Sequence, residues 1–370
     1  MKNTAIIAKF KTILKNSRIP LIIILIVMSM MTVSCNYSSL ALTGISAEDG
    51  SDNRTQAGSN DTPASTEPQN TETFYNYLTG LTTSEINSKR RPVSFCTENS
   101  SEHIPFGLKY ADVLIEAPSA EDKTSMCVIT TDYESAHRIG AISSMPSCLS
   151  DISSSLEAIK IYSGTTGYTL TEEKCALDAL SCSSPVFFRD NTVNCADNLM
   201  ADGSKIPETL AGLGYGDAMS DSYTLPYIID DNSVYEKYNA AKYITIPYWN
   251  SLSVNFSYDS QTKKYIRMQN AKIYRDADNT ELTYRTVLVL FCDTTTVSTH
   301  NGSSISLDMK NGGEGYAIFD GKAVQLNWKR DEVGHFILSD AFGAELKIPS
   351  GNIYIGLLQV SNKKDLVIGN

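Results

Sequence analysis

The sequence is poor in the residues on which metal and nucleic-acid chemistry depend. Its 370 residues include four histidines and two tryptophans, and 42 acidic residues outnumber 31 basic ones, giving a formal net charge of −11. A histidine-rich metal site is therefore not expected. An acidic chain also lacks the basic face that nucleic-acid binders carry, so we expect no nucleic-acid partner.

Several catalytic and cofactor-binding motifs are absent as well. No two cysteines are spaced Cys-x-x-Cys, which argues against a zinc site. The chain has no P-loop and no Gly-x-Gly-x-x-Gly, which argues against nucleotide chemistry. It also has no nucleophile elbow, Gly-x-Ser-x-Gly, which argues against a serine hydrolase. The sequence therefore predicts neither a metal nor a cofactor.

The first 35 residues have the pattern of an export signal. A basic segment, residues 1–18, precedes an apolar run from Ile19 to Val33. That run of about 15 residues is short for a membrane span, which needs about 20, and is typical of a signal peptide. It ends in Thr32-Val33-Ser34-Cys35, which resembles the lipobox of bacterial lipoproteins. The resemblance implies cleavage before Cys35 and diacylation of its thiol, which anchors the chain on the outer face of the cell membrane. The alternative is an uncleaved N-terminal anchor.

Composition divides the remainder into a linker and two domains. Residues 36–73 are rich in Ser, Thr, Asn and Asp and have few large apolar residues, which predicts a disordered linker. Residues 74–216 are interpreted as one domain and residues 240–370 as a second. The segment 217–239 connects the two.

The predicted fold class is α+β, with a mixed α/β domain followed by an antiparallel β-rich domain. In the first domain, short apolar runs such as Val113-Leu114-Ile115 predict buried strands, and helices are expected at 168–180 and 204–213. In the second, apolar and polar residues alternate over 251–258 with the period of a strand. Asp320-Gly321 lies between two apolar runs and predicts a tight hairpin.

The cysteines are interpreted as structural residues. Eight cysteines less Cys35 leave seven, an odd number, so at least one thiol is free or pairs between chains. Most of them, including Cys127 and Cys292, lie in apolar runs and are expected to be small core residues.

A set of motifs spread over residues 75–360 carries a family resemblance. The motifs include Leu78-Thr79-Gly80-Leu81, Arg90-Arg91-Pro92-Val93, Ala111-Asp112-Val113 with Glu116, Phe188-Arg189-Asp190, Asp197-Asn198-Leu199, Ile244-Thr245-Ile246-Pro247-Tyr248, Gln269-Asn270-Ala271-Lys272 and Asp320-Gly321-Lys322-Ala323. Together they resemble the YerB-type lipoproteins of Gram-positive bacteria. That family pairs a lipoprotein signal with two domains and has no settled activity.

The chain departs from these relatives where they carry arginine. Relatives have Ala-Arg-Pro-Gln-Ser-Gly-Leu where this chain has Glu102-His103-Ile104-Pro105-Phe106-Gly107-Leu108. After Ile-Gly they have Pro-Val-Arg-Ser-Ala-Arg-Pro, where this chain has Ala141-Ile142-Ser143-Ser144-Met145-Pro146. The resemblance therefore implies that an anion site of the family is lost here or takes another ligand.

Seven polar residues are candidates for ligand binding: Asn99, Asp112, Glu116, Arg138, Arg189, Asp190 and Asn198. Arg189 follows an apolar strand, and an arginine in that position can bind a carboxylate or phosphate through two nitrogens. The alternative is a structural Arg–Asp pair at the corner. Asp112 and Glu116 could form an acid–base pocket, or they could cap turns and pair with arginines. The aromatic residues Tyr243, Tyr248, Trp249 and Tyr258 form either a glycan-stacking platform or part of the core.

Two functional hypotheses remain. In the first, the protein is a non-catalytic surface lipoprotein that binds an envelope polymer or a partner protein. In the second, it is an enzyme that acts on cell-wall polymers or lipid-linked precursors through acidic residues of the first domain. The second requires Asp112 and Glu116 to converge with Arg189 in one cleft.

Overall fold

The computed structural model describes residues 72–100, 104–120, 122–166, 176–180, 183–193, 198–221, 223–299, 302–332 and 334–370. The predicted signal peptide with its lipidation site, Cys35, lies outside these residues, as does the linker up to residue 71. Within the described part, no helix has the length and apolarity needed to cross a membrane.

Strands dominate the first half of the described chain. They are β1 (Phe74–Tyr75), β2 (Thr82–Thr83), β3 (Val93–Asn99), β4 (Val113–Ala120), β5 (Lys123–Thr130), β6 (Ile139–Gly140), β7 (Met145–Pro146), β8 (Ile159–Tyr162), β9 (Thr165–Thr166), β10 (Ala176–Asp178), β11 (Phe187–Arg189) and β12 (Leu199–Ala201). The predicted strand at Val113-Leu114-Ile115 is confirmed as part of β4.

Strands also make up nearly all of the second half. They are β13 (Ile228–Ile229), β14 (Asn239–Ala240), β15 (Tyr243–Pro247), β16 (Ser253–Asp259), β17 (Lys264–Gln269), β18 (Lys272–Ile273), β19 (Thr283–Tyr284), β20 (Thr286–Cys292), β21 (Thr294–Thr299), β22 (Gly302–Leu307), β23 (Gly313–Phe319), β24 (Lys322–Arg330), β25 (Phe336–Asp340), β26 (Lys347–Ile348), β27 (Ile353–Gln359) and β28 (Val367–Gly369). The alternating run 251–258 is thus confirmed as strand β16.

Helices are few and short in the described residues. They are α1 (Glu85–Lys89), α2 (Ser147–Ser155) and α3 (Ile206–Leu213), with 3-10 turns at Leu108–Tyr110, Tyr133–Ser135, Gly203–Lys205 and Val360–Asp365. The helix predicted at 204–213 is confirmed. The one predicted at 168–180 is wrong at its end, because Ala176–Asp178 pairs with β8 as a strand, and residues 168–175 lie outside the described part.

The mixed α/β character predicted for residues 74–216 needs correction. This segment is β-rich, and α1, α2 and α3 do not alternate regularly with its strands. The physical reason is that its apolar runs are only four to eight residues long, which suits strands. The described part of the chain is therefore β-rich, and the boundaries 74–216, 217–239 and 240–370 stay predictions.

One large sheet contains strands from both predicted domains. Its order is β10-β8-β3-β5-β4-β27-β20-β23-β24-β14, and β25 also pairs with β24. The two parts meet where β27 pairs in parallel with β4, with Ile353 opposite Val113 and Gly356 opposite Glu116. On its other side β27 pairs in parallel with β20, so the second domain is not purely antiparallel as predicted.

Both faces of this sheet are buried, which explains its continuous apolar strands. Along β20, Val287 and Val289 belong to one core cluster, whereas Leu288 and Leu290 belong to the other. The first cluster includes residues of a second, antiparallel sheet of order β18-β17-β16-β15-β28, with β19 also paired to β17. The other includes apolar residues of α2.

The turn between β23 and β24 confirms the hairpin predicted from the sequence. Asp320 and Gly321 have φ angles of 52° and 70° and join β23 to β24. This is the conformation that a two-residue hairpin loop requires, and glycine adopts it without steric cost.

Candidate functional site

Two of the candidate residues lie in a buried polar network at the centre of the molecule. The Glu116 network consists of Glu116, Asn99, Thr124, Tyr354 and Arg267, all fully buried. Glu116 Oε1 accepts hydrogen bonds from Asn99 Nδ2 at 3.1 Å and Thr124 Oγ1 at 2.6 Å. Its Oε2 accepts from Arg267 Nη2 at 2.9 Å and Tyr354 OH at 2.8 Å. Every oxygen of the carboxylate is thus occupied by protein donors.

Arg267, like Thr124 and Tyr354, is a residue of this network that the sequence did not single out as a candidate. It lies on β17, and its guanidinium carbon is 3.9 Å from the centroid of the Tyr274 ring. Although burial opposes it, the Glu116 carboxylate raises the pKa of Arg267, so the guanidinium keeps its charge. The ion pair therefore ties β4 of the large sheet to β17 of the second sheet.

Asp112 does not join this network. Its Oδ2 accepts hydrogen bonds from the backbone N of Thr131 at 2.8 Å and from Thr131 Oγ1 at 3.2 Å. Three residues of extended chain, Val113, Leu114 and Ile115, lie between it and Glu116, which corresponds to a span of about 13 Å. Burial raises the pKa of the Asp112 carboxyl. The two carboxylates thus have different partners and do not form the pair that the enzyme hypothesis requires.

The other four candidates meet at the corner between β11 and β12. Arg138 forms an ion pair with Asp190, and Asp190 Oδ1 accepts hydrogen bonds from Thr192 N at 2.8 Å and Thr192 Oγ1 at 2.6 Å. The Thr192 bonds, followed by Arg138, lower the pKa of Asp190. Arg189 Nη1 donates to Asn198 Oδ1 at 3.0 Å. These contacts correspond to the structural alternative, and a ligand-binding role for the corner stays a prediction.

One of the four aromatic residues suggested as a stacking platform is buried in the core, and two others pack against neighbouring residues. Tyr248 is fully buried, and its hydroxyl contacts the backbone O of Glu116 at 3.1 Å. Trp249 Nε1 donates to the backbone O of Lys123 at 2.8 Å, and the Tyr258 ring packs 5.0 Å from that of Tyr265. The platform prediction is wrong for Tyr248, which belongs to the core.

Exposed aromatic side chains occur instead beside β24, in a groove of about 550 Å³ that we call the Tyr238 groove. Tyr238 is 54% exposed and Phe342 is 71% exposed. The groove lies where two partners of β24 leave a gap. β14 pairs with β24 up to Ala323, whereas β25 begins to pair with it at Leu326.

Local hydrogen bonds hold Phe342 at the tip of the turn after β25. Asp340 Oδ1 accepts hydrogen bonds from the backbone N of Phe342 at 2.8 Å and of Ala344 at 3.0 Å. Gly343 has a φ of 86°, which glycine tolerates best. Exposure of this aromatic ring was not predicted from the sequence.

Contacts within the protein also hold the opposite wall of the groove, which contains Tyr235 and Tyr238. The Tyr235 hydroxyl donates to the backbone O of Lys347 and accepts from its backbone N, both at 2.8 Å. Lys322 Nζ lies 4.3 Å from the centroid of the Tyr238 ring, and Lys237 Nζ lies 6.0 Å from that of Phe342. The two aromatic rings are therefore held by contacts formed within the protein.

Comparisons with known proteins identify relatives of both halves of the chain. The family of proteins of unknown function called DUF3048 has two domains. The model of its N-terminal domain matches residues 78–216, and the model of its C-terminal domain matches residues 244–355. A crystal structure of the YerB protein from Bacillus subtilis has a similar fold. Its TM-score is 0.67 at 18% sequence identity, over 80% of this chain and 100% of that chain. A search of curated proteins gave no match.

Proposed function

This chain belongs to the YerB-like family of proteins of unknown function, DUF3048, and we propose that it is a lipid-anchored protein of the cell envelope that binds a glycan polymer without catalysing a reaction on it. The observation that carries the proposal is the pair of exposed aromatic rings, Tyr238 and Phe342, in one groove.

Exposed aromatic rings in a groove favour a ligand with apolar faces. Large exposed apolar side chains grouped in one place mark interaction sites more often than isolated ones do. The C–H face of a sugar ring carries partial positive charge, and the face of an aromatic ring is negative, so the two attract when stacked. Gln325 and Asn239 line the same groove and supply amide groups for sugar hydroxyls.

The charges around the groove favour a neutral polymer. Lys237 lines the groove together with Glu236 and Asp340, and Lys322 lies against the Tyr238 ring, so cations are not in excess there. A polyanion such as a phosphate polymer would need an excess of cations. The groove therefore fits a polysaccharide better than an anionic chain.

The carboxylates of the first domain support a non-catalytic role. Glu116 is fully buried with four protein donors on its two oxygens, so neither oxygen is free to exchange a proton with a substrate. Asp112 is hydrogen-bonded to Thr131, and Arg189 is hydrogen-bonded to Asn198. The cleft that the enzyme alternative requires has no counterpart among these described residues.

The proposed anchoring of the protein to the membrane rests on the sequence before residue 36. The basic segment, the apolar run and Cys35 support export and lipidation at the outer face of the membrane. Two acyl chains give stable anchoring. The groove would thus meet polymers close to the membrane.

The proposal is tested by co-sedimentation of the full-length chain, kept in mild detergent, with purified insoluble cell-wall polysaccharide. The variants are Tyr238→Ala, Phe342→Ala and the double variant. Stacking of one ring contributes about 0.5–1.5 kcal/mol, so each single variant should raise the Kd roughly 2- to 12-fold. The double variant should bind more weakly than either.

Tyr75→Ala is the matched control, because Tyr75 is 56% exposed, slightly more than Tyr238, and lies on β1 outside the groove. Its Kd should equal that of the wild type. If Tyr238→Ala and Phe342→Ala also bind like the wild type, the groove is not the glycan site. If the wild type binds no polysaccharide, the proposal itself is refuted.

A further inference from the structure

Cys96 and Cys127 are direct neighbours on adjacent strands. Cys96 lies on β3 and Cys127 on β5, and the antiparallel register places the two residues opposite each other. Both side chains are fully buried and belong to the same apolar cluster, so they project from the same face of the sheet. Both are free thiols in the structure.

Backbone hydrogen bonds show which type of cross-strand pair this is. The carbonyl O of Cys96 accepts a hydrogen bond from Ser143 N at 2.9 Å, on the side of β3 that faces away from β5. The carbonyl O of Ile129, two residues after Cys127, accepts from Asp112 N at 2.9 Å, on the β4 side of β5. Residues two apart on a strand point their backbone groups to the same side.

Cys96 and Cys127 therefore form a non-hydrogen-bonded pair, the closer of the two kinds in an antiparallel sheet. Their Cα atoms are then about 4.5 Å apart. A disulfide needs a Cα–Cα distance of about 4.4–6.8 Å. The backbone already places both residues where a disulfide forms without moving either strand.

We propose that Cys96 and Cys127 are the site of an intrachain disulfide bond, formed by exchange with a disulfide oxidant. One thiolate attacks a sulfur of the oxidant, which releases one oxidant thiol and leaves a mixed disulfide. The second thiolate then attacks the protein sulfur of that mixed disulfide. The S–S bond of the protein forms, and the oxidant leaves as two thiols that have gained two electrons and two protons.

The surroundings distinguish the two thiols. Burial raises the pKa of Cys96, whose Sγ donates to the backbone O of Ser144 at 3.3 Å. Burial also acts on Cys127, but hydrogen bonds from Cys96, Ser94 and Ser153 lower its pKa. Of the two, Cys127 is the thiol whose hydrogen bonds favour the thiolate.

The other described cysteines have less favourable positions. Cys148 is the second residue of helix α2 and lies opposite neither residue on a paired strand. Cys292 lies on β20, and its Sγ is 3.8 Å from the Sδ of Met309. The register thus selects one pair among these four cysteines.

The test is refolding of the full-length chain in detergent with a mixture of oxidised and reduced glutathione. Free thiols are then alkylated, and the chain is cut with trypsin. Cleavage after Lys109, Lys123, Arg138 and Lys160 leaves Cys96, Cys127 and Cys148 on three different peptides. Mass spectrometry then identifies which peptides are joined and which carry an alkylated thiol.

The expected product joins the Cys96 peptide to the Cys127 peptide in most chains, and it should form equally in Cys148→Ser. In Cys127→Ser the Cys96 peptide should be alkylated. Alkylation of both Cys96 and Cys127 in the refolded wild type would overturn the proposal. A wild-type product in which Cys148 replaces either partner would overturn it too, and neither result depends on the folding of a variant.

Discussion

Replacing Glu116 by glutamine measures how much stability depends on the buried ion pair. The substitution keeps the size of the side chain but leaves the Arg267 guanidinium, which is fully buried, without its counterion. It also places an NH₂ group among donors, because Asn99, Thr124, Arg267 and Tyr354 all donate to Glu116. Breaking one partner of a buried pair costs about 3–5 kcal/mol.

The free energy of unfolding is best measured by urea denaturation of the full-length chain. At an m value of about 3 kcal/mol per M, the midpoint should fall by roughly 1 M or more. Glu98→Gln is the matched control. Glu98 lies on β3 and pairs with Lys123 at 2.6 Å, but both side chains are partly exposed, so its loss should cost about 0–1 kcal/mol.

A double variant separates the ion pair from general disruption. Arg267→Met combined with Glu116→Gln removes both charges, so the double variant should be less destabilised than the sum of the single variants. The reasoning is refuted if Glu116→Gln costs no more than Glu98→Gln. Simple additivity of the two single variants would also refute it.

Two further predictions concern backbone space and pH. Gly203→Ala should lower the unfolding midpoint strongly, because a Cβ there would lie 1.9 Å from the backbone O of Tyr133. Gly212→Ala in helix α3 should instead raise the free energy of unfolding by about 0.5–1 kcal/mol, because a Cβ there has nothing within 4 Å. Equal effects of the two substitutions in a thermal melt would contradict this. Burial raises the pKa of Asp112, so the stability this group contributes is present at low pH and lost as pH rises through its folded pKa. Asp112→Asn should therefore gain stability relative to the wild type as pH rises, and a pH-independent difference in urea midpoints would disprove it.

Local patterns predicted the strands well because the forces that produce them are local. The alternation over 251–258 and the pair Asp320-Gly321 each define an element through neighbouring residues alone. The pairing of β4 with β27 is different, because it joins segments at opposite ends of the folded chain. No short-range pattern encodes that register, so the sequence could not show that both domains share a sheet.

The candidate residues show the same limit. The sequence identified Glu116 as a candidate for ligand binding. Its role as the partner in a structural ion pair depends on Arg267, which lies far away in the sequence. One signal was available, because Arg267 lies two residues after Tyr265, on the inward face of β17. The exposure of Tyr238 and Phe342 had no such signal, since the gap beside β24 arises from tertiary pairing.

The shared sheet has a consequence for the order in which the protein is made. During synthesis, β4 emerges early, but its partner β27 is among the last strands to leave the ribosome. Until then β4 has one open edge, which can pair with other chains. A truncated protein that ends before residue 353 would keep that edge open permanently. The two family domains are therefore units of sequence but not of autonomous folding, and the N-terminal one produced alone is expected to aggregate.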